Sequence, residues 1–165
     1  MFELKPISPD GIEQALEKAH HYRLLNEPGE AESICLDVLE VDPNNQQALA
    51  TMLLACTDRF AKGHTASVQK AKEILPRLTD NYQRIYFAGL IRERQAKARL
   101  AQGGPGAGYD AYEMLREAMN YFEQAEAIRP AGNDDAILRW NACVRIITRN
   151  QLSSRATDGS EPYLE

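Results

Sequence analysis

Apolar residues recur along this chain at intervals of three and four rather than two. Ala15, Ala19, Tyr22 and Leu25 are spaced by four, three and three, which keeps one helical face turned inward. Runs that alternate β-branched and polar residues are short and rare, so strands are not expected. Ser8-Pro9-Asp10 opens a first helix, with Ser8 placed to cap it and Pro9 suited to its first turn. Asn26-Glu27-Pro28-Gly29 stops that helix. A second is predicted from about Glu30 to Val41, ended by Asp42-Pro43-Asn44, and a third from about Asn45 to Phe60. Lys62-Gly63-His64 reads as a loop. Thr65 or Ser67 then caps a fourth helix that ends near Thr79-Asp80. A long fifth helix covers about Asn81 to Leu100. It contains Gly89, whose cost in a helix interior, about 1 kcal/mol relative to Ala, suggests a close crossing. Gly103-Gly104-Pro105-Gly106-Ala107-Gly108 is the plainest loop. A sixth helix follows to about Ile128, before Pro130-Ala131-Gly132, and Asn133-Asp134-Asp135 opens a seventh that ends near Asn150. Residues 151–165 are polar and aperiodic, and are expected to form a flexible tail behind a helical domain spanning residues 8–150.

Within this helical pattern a motif recurs. Ala31, Cys35, Val38 and Pro43 are spaced by four, three and five, and so are Ala118, Phe122, Ala125 and Pro130. The order is a small residue, a filler one turn later, another small residue, and a proline that ends the helix. Antiparallel helices cross closely only where one side chain is small and its neighbour fills the groove between turns. The proline then sends the chain out toward the next pair.

On these residues the chain resembles the tetratricopeptide repeat, whose second helix carries A-x3-F and a closing proline at a period of about 34 residues. Arg116 to Pro130 carries the match most fully. The first-helix pattern is fainter: Ala15, Lys18, Ala19 and Tyr22 keep a small residue and the tyrosine, while Ile85, Ala88, Gly89 and Arg92 keep the glycine. Ala136, Trp140 and Cys143 turn inward on a last helix that looks like a terminal cap. The middle unit is the weakest, because Ala71, Leu75 and Leu78 lack a proline at the matching place. The period is irregular, with extra residues around Lys62-Gly63-His64 and in the fifth helix and glycine-rich loop.

The resemblance implies an all-α fold: a right-handed superhelix of about three antiparallel helical hairpins plus a C-terminal capping helix. It also implies a non-enzymatic protein-interaction module whose first helices line a concave groove. The pattern projects Leu16, His20, Arg23, Leu54, Tyr86, Leu90, Arg94, Ile137, Asn141 and Arg145 onto that groove. An apolar and aromatic floor beside three arginines suits an acidic or amphipathic peptide or helix, because a guanidinium grips carboxylates in two places. The competing expectation is that these arginines pair with acids on neighbouring helices. Chaperone adaptors of this family hold a terminal carboxylate with a Lys/Asn clamp, but the matching places here are Leu16, His20 and Thr51, so that clamp is absent. The alternative reading is a self-associating, homodimeric array whose groove takes its own or a neighbour's tail. Tyr163 and Leu164 would meet the floor, and Glu161 and Glu165 the arginines.

Composition narrows the remaining classes. The 165 residues carry 24 Asp and Glu against 19 Lys and Arg, a formal charge of -5, which disfavours nonspecific binding to nucleic acid. No apolar run reaches about 18 residues, so no membrane partner is expected. Met1-Phe2-Glu3-Leu4-Lys5-Pro6 lacks the apolar block of a signal peptide, and the expected compartment is the cytoplasm. Cys35, Cys56 and Cys143 are odd in number and widely spaced, which fits buried thiols rather than disulfides or zinc ligands. His20 and His21 point about 100° apart on a helix and cannot share one metal, and His64 lies far away in sequence. The Gly103–Gly108 loop lacks a P-loop's G-K-[ST] ending and follows no strand. Asp134-Asp135 and Glu30/Glu32 sit at helix starts, where acids favour the dipole. No catalytic residue, cofactor or metal site is expected.

Overall fold

The computed structural model describes residues 1–62 and 65–155, so Gly63, His64 and residues 156–165 of the expected tail lie outside the described residues. The fold is all-helical, with no strand among the described residues. In chain order the helices are α1 (Ile12–Leu24), α2 (Pro28–Val41), α3 (Gln46–Asp58), α4 (Thr65–Ile74), α5 (Asn81–Gln102), α6 (Ala107–Ala127) and α7 (Asp135–Arg149). Among the described residues no helix is long and apolar enough to cross a membrane.

Several boundaries move for identifiable reasons. The residues Pro9–Gly11 form a 3-10 turn, and Ser8 makes no side-chain cap. Helix α2 starts earlier than expected, with Pro28 at its first position, where the missing N–H costs nothing. Asn45 caps α3 instead of beginning it, its side chain accepting from the Ala48 N–H at 2.9 Å. Helix α4 ends at Ile74 and tightens into a 3-10 turn at Leu75–Arg77, because Pro76 cannot donate to a continuing helix. Ser67 is buried within α4 and is not its cap. The glycine-rich loop is shorter than expected: Gly103, Gly104 and Gly106 take positive φ, and Ala107 and Gly108 already belong to α6.

The chain divides after Arg84, within α5, into two compact units. In the first, α1 packs on α2, α2 on α3, and α3 on α4. Its core includes Ala19, Ala31, Cys35, Val38, Leu49, Leu53 and Cys56. Polar bonds join its turns. The Gln46 side chain donates to the Arg77 carbonyl at 3.3 Å and accepts from the Thr79 N–H at 2.9 Å, while Arg77 donates to the Pro43 carbonyl at 2.9 Å. In the second unit α6 packs on α7. Ala118, Phe122 and Ala125 are fully buried on α6, and Ala136 and Cys143 on α7. Gly89 of α5 faces Phe122 so closely that a Cβ there would fall 2.7 Å from ring atom Cε1.

Candidate functional site

Two buried carboxylates organise the polar interior, one in each unit. Glu32, on α2, does not serve the helix start as its position suggested. It is buried and pairs with Arg59 Nη1 at 3.0 Å and with the Lys70 ammonium. Glu93, on α5, has no exposed surface. Arg139 of α7 grips it with Nε and Nη2, both at 2.9 Å, and Lys97 Nζ lies 3.4 Å away. Burial lowers the Arg139 pKa, but the hydrogen bond and charge of Glu93 outweigh it and raise the guanidinium above its ordinary value. Both clusters are internally satisfied ion pairs. Pairing and neighbouring hydrogen bonds are what make such burial tolerable.

The thiols lie beside these clusters. Burial pushes Cys35 up to about 12, helped by Cys56 and Glu32, and pushes Cys56 up to about 11, helped by Glu32. Burial and then Glu93 push Cys143 up to about 12. All three stay protonated near neutral pH and lack the thiolate that nucleophilic chemistry uses. Among the described residues no three His, Cys, Asp or Glu side chains group as metal ligands.

The glycine-rich loop wraps a cation. Arg99 donates to the carbonyls of Gly103 at 2.6 Å and Pro105 at 3.1 Å, and its Nε meets Asp110 at 2.9 Å. Carbonyls turned inward are the opposite polarity from a phosphate cradle. Hydrogen bonds from Arg99 and then Arg155 lower the Asp110 pKa. Arg155 also lies over the Tyr109 ring, 5.7 Å from its centroid, and so holds the start of the expected tail against α6.

The ten projected groove residues scatter in environment. In the first unit Leu16 is 4% exposed and belongs to the core, because α1 uses that face against its neighbours. Arg23 is committed to Asp58, with Nε at 2.7 Å and Nη2 at 3.2 Å. His20 is exposed and Leu54 half-buried. In the second unit Leu90 is 3% exposed and is also core. Tyr86 is half-buried, its ring centroid 5.9 Å from that of Phe122. Arg94 lies 3.9 Å from Glu93. Ile137 and Asn141 are half-buried on α7, and Arg145 is exposed.

The projection included Arg145 on α7 but missed Arg149, one turn further along the same helix. Arg145 and Arg149 make no ion pair with any described residue. With Val144 and Thr148 they line a hollow of about 420 Å³. A second hollow, of about 510 Å³, lies on α1, lined by Gln14, Glu17, Lys18, His21 and Tyr22. The signal for the α7 face was present in the sequence: arginines at 145 and 149 sit one turn apart, with Leu138 two turns earlier. No family model, curated protein or solved structure matches this chain.

Proposed function

We propose that this chain is a non-enzymatic protein-interaction module built as a tetratricopeptide-like array of helical hairpins, and that it binds an acidic amphipathic segment of a partner protein. The observation that carries the binding reading is the outward face of α7. Two guanidiniums with no ion pair among the described residues stand there, lining a hollow with half-buried Val144. Unpaired exposed arginines next to apolar surface suit a helix or peptide that brings carboxylates and aliphatic side chains together. The array reading draws support from the turn contacts in the first unit. Arg77 and Thr79 reach partners 34 and 33 residues earlier in the chain, at Pro43 and Gln46, which is the spacing of one tetratricopeptide period. Pro76 also ends a helix, as Pro43 and Pro130 do, although it falls inside the middle unit's pattern rather than after it. A cytoplasmic setting, a right-handed superhelix and no role for nucleic acid or membrane complete the reading.

The test is to titrate a fluorescent acidic amphipathic helical peptide and follow its anisotropy. Saturable binding in the micromolar range, about -8 kcal/mol, is expected, weakening as salt rises. Arg145→Ala with Arg149→Ala should weaken it. Absence of saturable binding, or binding indifferent to salt and to both substitutions, refutes the reading. The exposed leucines favour a second reading, self-association of the array.

A further inference from the structure

We infer that the α7 face takes the α1 helix of a second copy of this chain, running antiparallel. The inference rests on the reading above, since it names the partner of the same α7 surface. On α1 the outward stripe is Glu13, Glu17, His20 and Leu24, spaced by four, three and four. All four are exposed, and Leu24 is 71% exposed. On α7 the outward stripe is Leu138, Ala142, Arg145 and Arg149, with the same spacing. Leu138 is 60% exposed, and both arginines are exposed. Glu13 and Glu17, like Arg145 and Arg149, have no ion pair with any described residue.

Laid antiparallel, the stripes complement each other position by position. Glu13 meets Arg149, Glu17 meets Arg145, small Ala142 leaves room for His20, and Leu24 covers Leu138. Each stripe spans roughly 16 Å at the helical rise, so all four pairs engage at once. Direction is selected by charge. Laid parallel, the acids would face Leu138 and Ala142, and the arginines would face His20 and Leu24. Pairing α1 with α1, or α7 with α7, leaves like charges together or charges against leucine. The antiparallel arrangement also sets the positive N-terminus of α1 beside the negative C-terminus of α7, which adds a favourable dipole term. On α7 both arginines line the hollow with Val144 and Thr148, which gives the incoming acids a place to seat. Because the two surfaces differ, the contact is heterologous: the copy that gives α7 keeps its α1 face free, and the copy that gives α1 keeps its α7 face free, for further copies.

The experiment is sedimentation of the full chain between about 10 µM and 1 mM, the range suited to a small interface. The weight-average mass should rise with concentration above 18.5 kDa, and the rise should shrink in high salt. Arg145→Glu with Arg149→Glu, and separately Glu13→Lys with Glu17→Lys, should each weaken association about tenfold, because two attractive pairs become repulsive. All four sites are exposed, and circular dichroism verifies that helix content is unchanged. Mixing the two variants, or placing all four changes in one chain, should restore association. A wild type that stays monomeric throughout overturns the inference, and so does association that ignores the reversals or fails to return in the mixture. If the wild type stays monomeric but α7 still binds the acidic peptide, self-association falls while the proposed function stands. If both fail, both readings fall.

Discussion

Replacing Gly89 with alanine sets two effects against each other. In an exposed helix interior the change stabilises by about 1 kcal/mol, because alanine loses less backbone entropy. At Gly89 the new Cβ would meet the Phe122 ring at 2.7 Å from Cε1, 2.9 Å from Cδ1 and 3.1 Å from Cζ. Carbon atoms rest at about 3.5–4.0 Å, so three ring atoms must retreat together. Phe122 has little room to do so: it is fully buried, with Tyr86 against it. Overpacking of this kind costs about 1–3 kcal/mol, and three simultaneous clashes place it in the upper part of that range. The net expectation is a loss of about 1–2 kcal/mol, or roughly 2–8 °C in Tm for a chain of this size. Gly29 is the control. It lies in the first turn of α2 with nothing within 4 Å of its would-be Cβ, so Gly29→Ala should raise stability by a few tenths of a kcal/mol to about 1 kcal/mol. Denaturant titration followed by circular dichroism measures both. Phe122→Leu in the Gly89→Ala background should cost less than the two single changes added together, by about 0.5–3 kcal/mol. If Gly89→Ala stabilises as Gly29→Ala does, α5 and α6 do not cross closely there, and the packing account fails.

Ala118→Leu should cost about 1–3 kcal/mol in the same titration, since Ala118 is fully buried, and an unchanged melt would remove the basis for pairing α6 through its small residues. Arg139→Met should destabilise by about 3 kcal/mol, because Glu93 keeps only the longer contacts to Lys97 and Arg94, whereas Glu93→Leu with Arg139→Leu should recover most of the loss; equal losses in single and double variants would refute the buried pair. The thiols make stability depend on alkaline pH. Cys143 rises from 9.0 to about 12 on folding, so above about pH 9 the unfolded chain releases its thiol proton while the folded chain holds it. Stability therefore falls as pH rises from about 9 to 12, and Cys143→Ala should flatten that fall; an unchanged slope would show that the thiol ionises as freely when folded.

The sequence carried the helical pattern because helix signals are local. The four-and-three spacing of Ala118, Phe122 and Ala125, the stops at Pro43 and Pro130 and the conspicuous Gly89 all lie within a few residues of the feature they describe. Boundaries slipped where a single backbone property decided them. Pro76 ended α4 four residues before the apolar pattern did, and the left-handed φ of Gly106 let α6 start at Ala107 inside a stretch that reads as loop. The buried acids were harder to read, although each had a signal. Glu93 lies three residues after Leu90 and three before Ala96, all buried on α5, and an acid on an apolar stripe demands a cation. Which cation is not written locally: Arg139 lies 46 residues away.

The same separation of local from non-local information governs the candidate surface. Three arginines entered the projected groove on equal terms, because their spacing on their helices was equally suitable. Their availability differs for a reason no spacing contains. Arg23 meets Asp58, 35 residues away in sequence, with two hydrogen bonds, and Arg94 sits beside the buried Glu93, while Arg145 has no such neighbour among the described residues. An arginine held by an acid offers a newcomer only an exchange of one pair for another, with side-chain desolvation to offset. An unheld arginine offers a new pair outright. If the proposed binding holds, it is decided less by which residues face outward than by which exposed charges have no counterpart among the described residues, and Arg145 and Arg149 on α7 are two of those.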